Sequence, residues 1–224
     1  MNLANFLLII VGGFNLIIGF YVYLKNWKSQ LRLSFLLLTI SIAFWSVALS
    51  LSNVISLNGL NSALLWSRMA YVAAALIGFS FLWLCMLFPF DLRITLKRWL
   101  GIFVPFLLLV ASLFVYPSLV IVELVQKSWG YDASYNMVGY IVFSFYFIAY
   151  IALGFYFLIK RYLTSDGIIR GNLKLLIIGL GFSAIFGIIF DLILPFGNYW
   201  QLNWLGPYFS LFMVFSVAYM ISKK

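Results

Sequence analysis

Apolar residues fill this chain in long runs that do not alternate with polar ones. Each run is bounded by charge, Pro or Asn, and each is long enough to cross a bilayer core of about 30 Å as a helix. Seven spans are predicted, near Ala4–Leu24, Leu33–Ser52, Ala63–Phe88, Leu100–Tyr116, Met137–Leu158, Leu173–Phe196 and Trp204–Ile221. Strands of a membrane barrel would be about ten residues long and alternate in polarity, and these segments do neither. The first run has no basic n-region and no small-x-small cleavage site, so it reads as helix one and not as a signal peptide. The pattern therefore predicts an all-α polytopic membrane protein, a seven-transmembrane helix bundle forming one domain over residues 1–224. Its longest connection, 117–136, carries Glu123, Lys127 and Asp132 and reads as a short surface helix or a hairpin lid.

Composition removes most alternatives. The chain is 66% hydrophobic and 8% charged, where soluble domains carry about a quarter charged residues, so a soluble enzyme is excluded. It contains no histidine, which removes Ser-His and Cys-His nucleophile pairs, histidine metal ligands and His-ligated haem. The single cysteine, Cys85, lies in an apolar stretch. There is no Gly-rich phosphate loop, no paired intramembrane aspartate and no mid-span lysine in the seventh run, so neither an intramembrane protease nor a retinal opsin fits. No catalysis and no cofactor are expected of this chain.

The formal charge of +9 is read as a topology signal. Lys25, Lys28, Arg32, Arg93, Lys97, Arg98, Lys160, Arg161, Arg170, Lys174, Lys223 and Lys224 all fall on one side, twelve of the fourteen basic residues. The other side has Lys127, with Arg68 just inside a span. By the positive-inside rule the N-terminus is expected outside and the C-terminus in the cytoplasm. Charges dispersed over short loops beside lipid headgroups do not suit nucleic acid. Trp66, Trp129, Trp200 and Trp204 would form the outer aromatic belt, and Trp27 and Trp99 the inner one. Trp45 and Trp83 are mid-span, and core packing is the favoured reading for both.

Membrane helices pack through small residues. Gly179, Ser183 and Gly187 form one stripe at four-residue spacing, and Ala70, Ala74 and Gly78 another, so helices six and three are expected in the interior. Continuing the first stripe by four reaches Asp191. A carboxyl group inside a span is costly and normally faces the bundle interior or water. Arg68 lies at a similar depth, which makes an Asp191–Arg68 pair geometrically feasible, although Arg68 is about 200° around its helix from the small-residue stripe. Arg68 could otherwise snorkel to headgroups or pair with Glu123 or Asp132. Trp66, Tyr71, Asn198, Tyr199, Trp200, Gln201, Asn203 and Trp204 cluster at the same end, where Pro195 and Pro207 are expected to break the ends of helices six and seven. Arg68, Asp191, Trp66, Tyr71, Gln201, Asn203 and Trp204 are the candidate ligand-binding residues of an outward-facing pocket among helices three, six and seven.

Local motifs add a family likeness. They are Asn15, Tyr23-Leu24-Lys25-Asn26, Phe44-Trp45-Ser46, Leu65-Trp66-Ser67-Arg68-Met69-Ala70-Tyr71, Lys160-Arg161-Tyr162, Arg170-Gly171-Asn172, Gly179, Asp191-Leu192-Ile193-Leu194-Pro195 and Leu205-Gly206-Pro207. In this order the chain resembles the N-terminal seven-transmembrane sensor region of bacterial histidine kinases, a region also found ahead of outputs such as diguanylate cyclases. Asn172 departs from the glutamine usual there. The resemblance implies a sensor in the bacterial cytoplasmic membrane that signals through helix seven to a cytoplasmic output, fused or separate, and a possible homodimer. The kinase parts of the family follow helix seven. These 224 residues, lacking histidine, carry no phosphoacceptor, so kinase activity is not expected of them.

Two functions remain in view. A receptor module would take a small-molecule or lipid-like ligand from outside or from the bilayer. A small transporter or channel-like accessory subunit would need a polar path to the cytoplasm, and often repeat symmetry; the sequence shows neither. An anchor with no ligand would leave Asp191 and Arg68 important only for stability.

Overall fold

The computed structural model describes residues 3–55, 59–89, 94–127, 130–197 and 199–222. Arg93, Trp129, Asn198, Lys223 and Lys224 lie outside the described residues, as do the side chains of Trp200 and Gln201. Seven helices are long and apolar enough to span a membrane. They are α1 (Leu3–Leu24), α2 (Gln30–Ile55), α3 (Leu60–Leu87), α4 (Leu96–Val115), α5 (Met137–Thr164), α6 (Gly167–Phe196) and α7 (Gly206–Ser222), the last preceded by a tight 3-10 turn over Trp200–Leu205. Strands β1 (Ile121–Lys127) and β2 (Gly130–Tyr135) form an antiparallel hairpin between α4 and α5, which decides between the two readings of the long connection.

Around the bundle the neighbours run α1, α2, α3, α5, α6, α7, and α7 returns to α1; α4 packs outside this ring, against α3. Most of α3 and α2 is buried, whereas α6 exposes most of its surface. The expectation that α6 is an interior helix is therefore corrected. Its small-residue stripe serves a close contact on one face while the remaining faces are left to lipid. At Gly179 an added Cβ would collide with Ser216 of α7. On α3, Gly78 packs against Tyr146, Phe147 and Tyr150 of α5.

Polar side chains close the helix ends at the pole opposite the hairpin. Ser29 caps α2 by accepting from the Arg32 N–H, and the Arg32 guanidinium donates to the Val22 carbonyl near the end of α1. Arg161 does the same for α3, donating to the carbonyls of Cys85, at 2.9 Å, and Met86. Two of the cations read as topology signals thus also satisfy helix-terminal carbonyls. At the hairpin pole Asn136 caps α5 through the Gly139 N–H. A Cβ at Gly139 would overlap the backbone carbonyl of Leu119, which leads into β1. Backbone cannot yield as a flexible side chain can, so Gly139→Ala is expected to cost about 3 kcal/mol, measured as a lower unfolding midpoint in an SDS titration from mixed micelles.

Candidate functional site

The hairpin is fastened to the bundle by two polar knots. The first is made at a bulge. Ile121 pairs with Tyr135 and Glu123 with Ser134, so Val122 is the extra residue, and the ladder is disrupted there. Arg68 of α3 fills the gap, donating from Nε and Nη2 to the Ile121 carbonyl (3.2 and 3.0 Å) and from Nη2 to that of Val122 (3.0 Å). A planar guanidinium suits two adjacent carbonyls in a way an ammonium does not. The second knot joins Ser52 of α2, Ser67 of α3 and Tyr131 of β2 through their hydroxyls, all three buried. Burial pushes the Tyr131 phenol up from its ordinary range, which keeps its proton in the network. Tyr71 adds a hydrogen bond to Tyr135 of 3.1 Å. Lys127 and Asp132 face each other at 3.6 Å across the strands.

Arg68 therefore serves the hairpin backbone. It pairs with none of Asp191, Glu123 and Asp132, and the expected feasibility of an Asp191–Arg68 pair is not realised. The bulge supplies two carbonyls that the guanidinium reaches first.

Beneath the hairpin lies a cavity of about 110 Å³. Ile121 and Tyr131 of the hairpin form part of its wall, and α3 lines it from Ser67 through Ala70, Tyr71, Ala74 and Ile77 to Phe81. Those α3 positions span about 21 Å along the helix axis, so the space is elongated. Ile42, Trp45 and Leu49 of α2 line it, with Phe143, Phe147 and Ile151 of α5, Ser183, Gly187 and Asp191 of α6, and Gly206, Ser210 and Met213 of α7. The pocket expected among helices three, six and seven thus also takes walls from α2, α5 and the hairpin. Trp45, for which core packing was the favoured reading, packs against two core clusters and also lines the cavity.

Asp191 stands where α6 widens. Ile189–Ile193 form a π-helical turn, and the helix ends one residue after Pro195, at Phe196. The Tyr140 hydroxyl donates to the Leu192 carbonyl at 2.6 Å, satisfying backbone next to the turn. A Cβ at Gly206 would overlap the Asp191 carboxyl group, which therefore lies directly against the first residue of α7. Oδ2 of Asp191 is buried and has no hydrogen-bond partner. Such orphaned groups are rare in native interiors and call for an explanation.

The predicted site residues divide. Asp191, Tyr71 and Asn203 line the cavity, with Asn203 buried and the Tyr71 ring set edge-on to Phe143 at 4.8 Å. Trp66 and Trp204 pack instead around Leu8, Ala48, Leu49 and Ala70 in a separate cluster toward α1 and α2. Arg68 is outside the cavity wall, at the hairpin. The side chain of Gln201 lies outside the described residues.

Beyond the cavity, toward the other pole, the core is apolar, with Leu38, Leu84, Leu158, Leu173, Leu176 and Val217 at its centre. Buried hydroxyls at that level bond back to their own helices, as Ser34 does to Leu31 and Ser80 to Leu76. No group of metal-ligating residues occurs among the described residues.

A search of curated proteins found no match. The model of one protein family, described as the N-terminal 7TM region of histidine kinase, matches residues 7–223, nearly the whole chain. With its seven membrane-spanning helices, the chain belongs to this family: it is a multi-pass membrane protein of the histidine kinase 7TM sensor region.

Proposed function

We propose that this chain is the ligand-sensing module of a signalling receptor in the bacterial cytoplasmic membrane, and that the cavity under the hairpin is where its ligand binds. The observation that carries the reading is an aromatic-walled cavity closed at one pole by a fastened hairpin and holding a carboxyl oxygen with no partner. Buried polar groups are costly unless satisfied, so a site that keeps one open gains most by binding something complementary. The apolar core toward the other pole argues for a receptor and against a transport path.

The ligand comes from the bilayer. A second hollow on the lipid-facing side of α5 and α6, lined by Ser144, Phe145 and Ile148, shares Ile188 and Leu192 with the cavity wall. Two side chains beside the π-helical turn thus separate lipid from the cavity, while the hairpin covers the polar route. The output is read through α7, which lines the cavity with Gly206, Ser210 and Met213 and then runs to the opposite pole. Asn15 of α1 donates to Ser210 at 3.3 Å, so α1 feels the same displacement. A ligand shifts such a receptor only by its different affinity for two packings. The test is to join the chain to a kinase output in vesicles and titrate it with lipid extract of the source membrane. A saturable change in autophosphorylation supports the reading, and a flat response to every fraction contradicts it.

The hairpin pole faces outward in this account, because the basic residues gather at the other one. A cysteine at the exposed position Ser118 should then react with a membrane-impermeant maleimide on intact cells, and one at the exposed Asp166 only after lysis. Cys85 is buried and contributes little background. The opposite labelling pattern would invert the topology.

A further inference from the structure

The cavity contains one ionisable group that could set the charge of its occupant. Among the described lining residues there is no lysine or arginine, and Asp191 is the sole acid. The nearest candidate counter-ion by sequence, Arg68, is already committed to the Ile121 and Val122 carbonyls. The polar groups sharing the wall with Asp191 are neutral: Asn203, Ser67, Ser183 and Ser210, with the phenols of Tyr71 and Tyr131. Four of these are engaged elsewhere: Ser210 donates to the Pro207 carbonyl at 2.6 Å, Ser67 and Tyr131 are held in the serine knot, and Tyr71 donates to Tyr135. The rest of the wall is hydrocarbon and aromatic faces, Trp45, Phe81, Phe143 and Phe147 among them.

We infer that the cavity takes a small organic ammonium, with its charged nitrogen at the Asp191 carboxyl group and a slender apolar body running between the aromatic walls toward Phe81 and Met213. This rests on the cavity being the sensor's ligand site, and it names the class of ligand. Three features favour an ammonium over the alternatives. An anion would bring its charge into a space with no cation to pair it, which burial in low dielectric penalises. A hydrocarbon would fill the volume and leave Oδ2 as it is, an unpaired polar atom. A neutral alcohol could donate one hydrogen bond, but an ammonium donates a charge-assisted one, roughly twice as strong.

Size limits the guest as well. An engineered apolar cavity of about 150 Å³ accepts benzene. The 110 Å³ found here, drawn out along α3, suits a short alkylamine better than a bulky ring system.

The test uses the full chain in lipid nanodiscs and three probes of equal length: n-pentylamine, pentan-1-ol and pentanoate. Binding is read by saturation-transfer NMR or calorimetry, with a Gly187→Leu protein, whose cavity is filled, correcting for partition into lipid. The expected result is saturable pentylamine binding at least about tenfold tighter than pentan-1-ol, with no pentanoate binding. Asp191→Asn should reduce the amine's advantage to less than about threefold while leaving the alcohol unchanged. Should that variant fail to fold, the amine–alcohol comparison on the wild-type protein decides alone. Equal binding of amine and alcohol, both lost in Gly187→Leu, would overturn the ammonium assignment and leave the cavity as a site for neutral guests. No difference between the wild-type and filled proteins for any probe would overturn the ammonium assignment and the cavity reading together.

Discussion

Gly187→Leu is expected to abolish the ligand response of a kinase output joined to this chain, lowering apparent affinity by about a hundredfold or more. Gly187 lines the cavity, and a Cβ added there meets nothing within 4 Å, so a leucine side chain has room to extend into it. The substitution requires no displacement of backbone, in contrast to Gly179, where Ser216 stands in the way. Removing a glycine from a helix interior also favours the helix by up to about 1 kcal/mol. Stability should accordingly hold or rise while the response disappears. Thermal unfolding in mild detergent and autophosphorylation against ligand concentration together separate this outcome from simple misfolding. A response retained at full affinity would show that the cavity is not the site.

Arg68→Ala should destabilise the protein by about 2–4 kcal/mol and release the hairpin. The substitution removes three charge-assisted hydrogen bonds and strands two carbonyls at the bulge, one of them on the fully buried Ile121. Arg68→Lys should restore less than half of the loss, because one ammonium cannot present the two-pronged geometry. Hydrogen exchange of amides in 121–127 would report the release directly, and an SDS titration its cost. If Arg68 only snorkelled to headgroups, both substitutions would be close to neutral. Because Ile121 and Tyr131 form part of the cavity wall, loosening the hairpin should weaken ligand binding as well. Loss of response in Arg68→Ala would thus not by itself identify Arg68 as a ligand contact.

The spans were legible because a bilayer demands long uninterrupted apolar runs. Real helices extend past those runs where polar side chains can close them, as Ser29 does for α2 and Thr164 for α5. The interior position of α2 was harder to see. That helix has no glycine stripe, but it carries Ser34, Thr39, Ser41, Ser46, Ser50 and Ser52, all buried. Serine and threonine allow close approach as glycine and alanine do, so the signal was present in residues weighed as polar. Asp191 was found from its cost in a span. The partner assigned to Arg68 could not be found that way, because its acceptors are backbone carbonyls exposed by the one-residue bulge at Val122. The π-helical turn carrying Asp191 has a similar origin in the packing of Tyr140 and Gly206 around it, with Pro195 as its trace in sequence.

In the working receptor the cavity beneath the hairpin should be occupied by a small molecule. The most direct measurement is mass spectrometry of what leaves the purified protein on denaturation, comparing wild type with Gly187→Leu prepared side by side from the same membranes. At least one small molecule carrying a basic nitrogen should be released near one equivalent from the wild-type protein and be missing from the filled one. Identical sets of molecules in identical amounts from both proteins would contradict it.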